Sequence, residues 1–140
     1  MKLLPALLLA FAAAAAQAQD TPVGLWKSFD DHTGQEKSLV RIVESGGVVS
    51  GLVEKLLHPS RPNPTCDKCS DDRHGKPIVG LSIIEGLKEH DGVWEDGKIL
   101  DPENGKIYTV RLKPLDGGKT LQVRGYIGPF FRTQTWTRIE

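Results

Sequence analysis

From Val23 onward the sequence never sustains the period of a helix. It is a succession of short runs carrying Val, Ile, Thr and aromatic residues, separated by clusters of glycine, aspartate and asparagine. The runs are Val23–Phe29, Lys37–Val43, Val48–Leu56, Ile78–Lys88, Val93–Leu100, Lys106–Leu112, Thr120–Ile127 and Thr133–Ile139. Short runs bounded by turn signals predict strands, and about eight of them predict a sandwich or a barrel. The links suit tight reversal. Asp30-Asp31-His32-Thr33-Gly34, Ser45-Gly46-Gly47, His90-Asp91-Gly92 and Asp116-Gly117-Gly118 each supply a residue that tolerates positive φ where one antiparallel strand turns into the next. Consecutive pairing makes a meander, which loses its exposed edges by closing on itself. The expected fold is all-β, an up-and-down antiparallel barrel of about eight strands. Its most legible part is the hairpin from Trp94 to Tyr108, where Asp101-Pro102-Glu103-Asn104-Gly105 separates two apolar-bearing runs and Asn-Gly supplies the turn.

Ahead of the barrel, Met1-Lys2-Leu3-Leu4-Pro5-Ala6-Leu7-Leu8-Leu9-Ala10-Phe11 and the alanines running to Ala16-Gln17-Ala18 combine a charged start, an apolar centre and a small-x-small site. Residues 1–18 therefore read as a signal peptide and residues 19–140 as a single barrel domain, in a periplasmic or secreted protein. The apolar run is short for a membrane span, polar Gln19-Asp20 follow it, and no later stretch approaches a span. The remainder is of single-domain size. Eighteen basic and 18 acidic residues are scattered among one another. Binding to nucleic acid needs many cations gathered on one surface, so nucleic acid is not expected as a partner.

One link breaks the rhythm. Leu57-His58-Pro59-Ser60-Arg61-Pro62-Asn63-Pro64, then Thr65-Cys66-Asp67-Lys68-Cys69-Ser70, then Asp71-Asp72-Arg73-His74-Gly75-Lys76-Pro77 form a connection of about twenty residues, and loops of that length are functional or disordered. It reads as a surface flap with the cysteine pair pinning its tip. Export and an even cysteine count make a Cys66–Cys69 disulfide the default. Two alternatives stay open: a redox-active pair, opposed by Asp67, Asp71 and Asp72 and by the missing βαβ context, and a zinc shell of His58, Cys66, Cys69 and His74, whose spacing is not that of a finger.

Pleat alternation gives the Lys106–Leu112 run a plain inside of Tyr108, Val110 and Leu112. The final run places Arg132, Gln134, Trp136 and Arg138 on one face and Thr133, Thr135, Thr137 and Ile139 on the other. Neither is a clean apolar stripe, so either face can point inward, and an interior with Arg and Gln implies a polar or water-containing cavity. The acidic turns at Asp30 and Asp101 read as turn formers, since neither matches a calcium loop. The sequence carries no nucleophile elbow, His-Glu-x-x-His, phosphate loop or dinucleotide fingerprint, and no cofactor is expected. Glu54, Glu85, Glu95 and Asp96 are carboxylates that cross-strand pairing can bring together for acid–base work, though a solvated outer face accounts for them as well.

Gly24-Leu25-Trp26, Asp30-Asp31 with Thr33-Gly34, Cys66-Asp67-Lys68-Cys69, Gly97 through Tyr108, Val123-Arg124-Gly125-Tyr126-Ile127-Gly128 and Arg132-Thr133-Gln134-Thr135-Trp136 together resemble the bacterial exported domain-of-unknown-function family 2147, over nearly the whole chain after the leader. Pro129-Phe130-Phe131 departs from it, being bulkier than the glycine-containing link expected before Arg132. The resemblance implies a lipocalin-like barrel in the envelope with no assigned activity. Gly24-x-Trp26 is also similar to the lipocalin motif whose tryptophan closes the barrel floor beneath an arginine of the last strand, which implies a structural closure of Trp26 with Arg132 or Arg138.

The candidate ligand-lining residues are Trp94, Tyr108, Arg124, Tyr126, Gln134 and Trp136. The leading function is a binding module for a small apolar or amphipathic ligand, since a barrel of about eight strands is just wide enough to hold one. A structural or interaction protein that docks a partner through the 57–77 loop or a strand edge comes second. A hydrolytic enzyme ranks below both.

Overall fold

A computed structural model describes residues 2–3 and 20–140. The leader expected at residues 1–18 lies, but for Lys2 and Leu3, outside the described residues. Eight strands follow in chain order: β1 (Gly24–Phe29), β2 (Glu36–Ser45), β3 (Val48–Leu56), β4 (Ser82–His90), β5 (Val93–Leu100), β6 (Ile107–Leu115), β7 (Thr120–Ile127) and β8 (Phe130–Arg138). Each pairs antiparallel with the next, and β1 pairs with β8, so the sheet closes into a lipocalin-like barrel. Closure leaves little free strand edge for a partner: only where β1 and β8 part, beyond the Trp26–Arg138 and Lys27–Thr137 pairs, is a strand unpaired on one side. Among the described residues no helix is long and apolar enough to cross a membrane.

Alternation decides what fills the barrel. Trp26 on β1, Val40 and Ile42 on β2, Val49 and Val53 on β3, Ile84 and Leu87 on β4, Val110 and Leu112 on β6, and Leu121 and Val123 on β7 all point inward and are buried. Such burial is worth about 1.5 to 3 kcal/mol for each large side chain, which is what fixes the register. The final strand, ambiguous in sequence, is settled by its partners. Arg132, Gln134 and Trp136 stand opposite Gly125, Val123 and Leu121, so the Arg-Gln-Trp-Arg face is the inner one.

Several boundaries differ from expectation, and two of the larger shifts have a visible cause. β4 begins at Ser82 and not at Ile78, because Ile78 and Leu81 are tied into the loop: the Ile78 amide donates to the Pro64 carbonyl at 3.0 Å, and Gly80 stands at φ +89. β8 begins at Phe130 and not at Thr133, since a two-residue link lets Ile127 pair directly with Phe130.

The β1–β8 seam is short. Only Trp26–Arg138 and Lys27–Thr137 are paired there, against eight pairs between β7 and β8. Beyond Lys27 the two strands part toward one end of the barrel, the end that also carries the β1–β2, β5–β6 and β7–β8 links and the long 57–81 connection. That end is the mouth, and the other is the floor.

Cys66 and Cys69 are joined in a disulfide. It does not sit at an exposed flap tip as the sequence suggested, for both residues are buried in the core cluster. The loop folds back on itself through a Thr65–Pro77 bridge and a bond from the Cys66 amide to the Lys76 carbonyl, and the knuckle packs on the β5–β6 turn. Gly105, at φ +72, lies so close to the Lys68 carbonyl that any Cβ there would collide with it. The turn glycine thus serves two needs, its own backbone and the seat of the loop.

Candidate ligand-binding site

The floor is sealed by one cation over one indole. The Arg138 guanidinium carbon lies 4.2 Å from the Trp26 ring centroid. Its nitrogens donate to three backbone carbonyls: Nε to Gly118 at 2.5 Å, Nη1 to Val23 at 2.8 Å and Nη2 to Thr21 at 2.6 Å. Trp26 Nε1 donates to the Pro22 carbonyl at 2.8 Å. With no carboxylate partner, burial alone acts on Arg138 and lowers its pKa from the ordinary guanidinium value. Gly24 is required by the same contact. It takes φ +143, and a Cβ there would strike both the Glu140 carbonyl oxygen and Arg138 Nη1. Above this closure Ile42, Val49, Leu87, Leu112 and Leu121 fill the barrel completely, with Trp94 8% exposed among them.

The mouth half is hollow. A cavity of about 90 Å³ opens there, with apolar walls of Val40, Val53, Leu56, Ile83, Ile99 and Trp136. Its polar rim includes Lys37, Tyr108, Arg132 and Gln134, and Ser28 and Ser38 sit on its wall with their hydroxyls 2.5 Å apart. A larger groove of about 470 Å³ adjoins it, roofed by Leu57–Lys68 residues of the loop and sharing Lys37, Leu56, Ile78 and Pro102 with the cavity. The small cavity takes only a short group, whereas the groove falls within the range of roughly 300 to 1,000 Å³ that holds small molecules.

A polar clasp crosses the mouth where β1 and β8 part. Arg132 Nε lies 2.9 Å from Asp31 Oδ2 and its Nη2 3.4 Å from Asp101 Oδ2, with the guanidinium 5.6 Å from the Tyr108 centroid. Gln134 Nε2 donates to Asp31 Oδ1 at 2.7 Å and accepts through Oε1 from Trp136 Nε1 at 2.9 Å. The chain Trp136, Gln134, Asp31, Arg132, Asp101 runs from the cavity wall to the β5–β6 turn. The turns that supply the carboxylates are self-capped: Asp30 Oδ1 accepts the His32 and Thr33 amides, and Asp101 Oδ1 accepts the Glu103 amide. The two Thr33 and His32 bonds lower the Asp30 pKa.

Of the residues expected to line a ligand site, Tyr108, Gln134 and Trp136 line the mouth cavity. Trp94 does not, being packed in the filled half. Arg124 and Tyr126 point out of the barrel, because they alternate with inward Val123 and Gly125; Arg124 bonds Thr133 Oγ1 and lies 5.0 Å over the Phe131 ring. Arg132, offered as one of two closing arginines, is a mouth residue, and Arg138 stands over Trp26. Ser28, Ser38 and Lys37 also line the cavity, and Asp31 and Asp101, legible in sequence only as parts of turns, reach Arg132 at its mouth. Ser28 carried a signal, since it follows Trp26 at pleat spacing; the carboxylates come from turns whose reach across the mouth has no pattern in sequence.

The zinc shell is overturned by the disulfide, which removes both thiolates. His90, Glu95 and Asp96 bring three ligand atoms within 4.8 Å on the outer wall, but Glu95 is already engaged by His90 at 3.2 Å and lies 4.0 Å from Arg111. Glu54 pairs with Arg41 at 3.1 Å and Glu85 accepts from Ser82 at 3.2 Å, so the carboxylates weighed for acid–base work face outward and do not converge on the cavity. The carboxyl pKa values that move all move down. Lys27 lowers Glu36, Arg61 lowers Asp67, and the Arg73 side chain holds Asp71 at about 2.

The profile of a bacterial family described as "Uncharacterized protein conserved in bacteria (DUF2147)" matches residues 24–138. Among solved structures the chain is similar to HP1028 from the human pathogen Helicobacter pylori, which is described as belonging to the lipocalin family. The TM-score is 0.73 at 18% identity, over 84% of this chain and 82% of that one. That likeness speaks to the fold. No curated protein matches.

Proposed function

Since this chain belongs to the DUF2147 family, an uncharacterized family of bacterial proteins, we propose its function from the geometry of the mouth: the barrel binds a small amphipathic anion in the bacterial envelope. The acidic head meets Arg132 on the rim of the 90 Å³ cavity, the apolar part beside it fills that cavity, and the remainder passes into the adjoining groove under the disulfide-bearing loop. The carrying observation is the chemistry of that cavity. Its walls are aliphatic and indole, and they end at a guanidinium whose partners are carboxylates alone. A ligand carboxylate or phosphate can take the place of Asp31 or Asp101 and keep the charge-assisted pairing that Arg geometry favours. Lys37, 3.2 Å from Glu103 at the shared edge of cavity and groove, offers a second cation that can change partner in the same way. Envelope location is supported by the leader-like start of the sequence and by the disulfide.

Titration calorimetry with decanoate and with decanol tests the reading. Decanoate is expected to bind, and decanol more weakly. Val53→Phe fills the cavity at a stability cost of about 1 to 3 kcal/mol and should abolish binding of both. Arg132→Met should weaken decanoate by about tenfold, the loss of one charge-assisted pair, and leave decanol unchanged. An unaltered decanoate isotherm in the folded Val53→Phe variant would place the ligand outside the barrel and end this reading.

A further inference from the structure

The β7–β8 hairpin ends in side chains that nothing in the barrel uses. Phe130 is 76% exposed, Phe131 62%, Ile127 44% and neighbouring Ile107 41%. They stand on a tight two-residue turn in which Gly128 takes φ +54; Pro129 cannot take positive φ, so the turn is of the type II′ kind and holds the two phenylalanines fixed at its end. Phe131 shares the outer face with Tyr126 while Phe130 and Ile127 stand on the opposite face, so the tip is apolar on both sides, and exposed apolar surface of this kind marks an interaction site.

The wall behind the tip is mainly basic, with Glu95 beside Arg111 and Glu85 opposite Lys98 at its β4–β5 margin. The outward positions of β6, β7 and β8 carry Arg111, Lys113 and Arg124 and no carboxylate, with Lys98 beside them on β5. Among the described residues Lys98, Lys113 and Arg124 enter no ion pair; Lys98 and Arg124 bond only to threonine hydroxyls, of Thr109 and Thr133. The Lys98, Thr109, Tyr126 and Phe131 positions follow one another across four strands in register, so cation and aromatic tip share one continuous surface.

We propose that this face docks on an anionic phospholipid surface, with Phe130 and Phe131 entering the acyl boundary and Arg124, Lys98 and Arg111 lying at the headgroups. A projecting apolar tip suits a fluid layer that reshapes around it, and the cations behind it, Lys98 and Arg124 outside any ion pair and Arg111 4.0 Å from Glu95, match lipid phosphates. The tip lies on the mouth end of the barrel, so docking brings the cavity to the membrane. The proposal stands independently of what the cavity binds.

Co-sedimentation with phosphatidylcholine vesicles, with and without phosphatidylglycerol, tests it on the purified protein. Binding is expected to vesicles that contain phosphatidylglycerol, to weaken as salt rises, and to be absent with phosphatidylcholine alone. Phe130→Ser/Phe131→Ser should lower partitioning by about tenfold or more, from the apolar area withdrawn. Arg124→Gln/Lys98→Gln should lower it less and flatten the salt dependence. Neither pair lines the cavity or the groove, so both should leave decanoate affinity unchanged, which separates failure here from failure of the ligand reading. Partitioning that is indifferent to the phenylalanines, equal competition by a soluble polyanion such as poly(U), or a protein dimer that dissociates in the Phe130→Ser/Phe131→Ser variant would each overturn it.

Discussion

Arg138 and Arg132 stand on the same strand, point into the same barrel and each cover an aromatic ring, yet they do different work. Arg138 gives its protons to three backbone carbonyls and rests on Trp26. Carbonyls cannot be titrated, and they leave only if the chain unfolds there. Arg132 instead faces Asp31 and Asp101 across a gap in the sheet, half-exposed, with Tyr108 beside it. Its partners are side chains that a solute anion can replace. The same residue type is thus a bolt at the floor and an exchangeable contact at the mouth, and the distinction lies in its acceptors.

If that contrast holds, the largest effect comes from the bolt. Arg138→Met should cost about 3 kcal/mol in urea unfolding, because three acceptors are left without their donor. Gly24→Ala should approach the same loss, since φ +143 and the Arg138 contact both resist a Cβ. A loss below 1 kcal/mol for Arg138→Met would remove the structural reading of the floor. The disulfide comes next. Cys66→Ala/Cys69→Ala opens a ring of very few residues, worth about 2 kcal/mol on loop entropy. Amide exchange should rise along residues 57–81 and at the Gly105 seat while Trp26 stays protected; loss of protection at both ends would mean that floor and mouth unfold as one unit. Arg132→Met should change stability by less than about 1 kcal/mol, as exposed ion pairs do, while its effect falls on decanoate affinity.

The strands were legible because period-2 alternation and turn glycines are local, and both follow from short-range sterics. The closing pair was half legible. Gly24 and Trp26 stand in a motif, but two arginines six residues apart share one face, and sequence cannot say which meets the indole. Arg124 and Tyr126 are ambiguous for a related reason: Val123-Arg124-Gly125-Tyr126 places chemistry-bearing residues on one face and small apolar ones on the other, and the pleat alone does not say which face points inward. The burial of Val123 decides the matter. The clasp was not legible, because Asp31 and Asp101 reach Arg132 from turns 70 residues apart in sequence and meet only when the barrel closes.

Acid gives the smallest and most selective separation of the two ends. Asp30, Glu36, Asp67 and Asp71 all have folded pKa values below their ordinary ones, Asp71 at about 2 against 3.8. All four lie on the mouth side, in the β1–β2 link, the start of β2 and the 57–81 loop. A carboxyl with a depressed folded pKa contributes in full above its unfolded value and loses that contribution as pH falls through the folded one. Protonation between about pH 4 and 2 should therefore loosen the loop and the mouth. Arg73, which bonds Asp71 and reaches the Ser82 carbonyl at 2.9 Å, transmits the change from loop to β4. The Arg138–Trp26 contact has no carboxylate partner, the neighbouring Glu140 side chain pairing instead with Arg41 at 2.6 Å, so the floor should respond less. Amide exchange across that window is expected to open residues 30–36 and 57–81 first, with Leu25 and Trp26 still protected. Asp71→Asn, which cannot titrate, should remove part of the pH dependence from the loop and none from the floor; simultaneous opening at both ends would show that the two arginines belong to one cooperative structure.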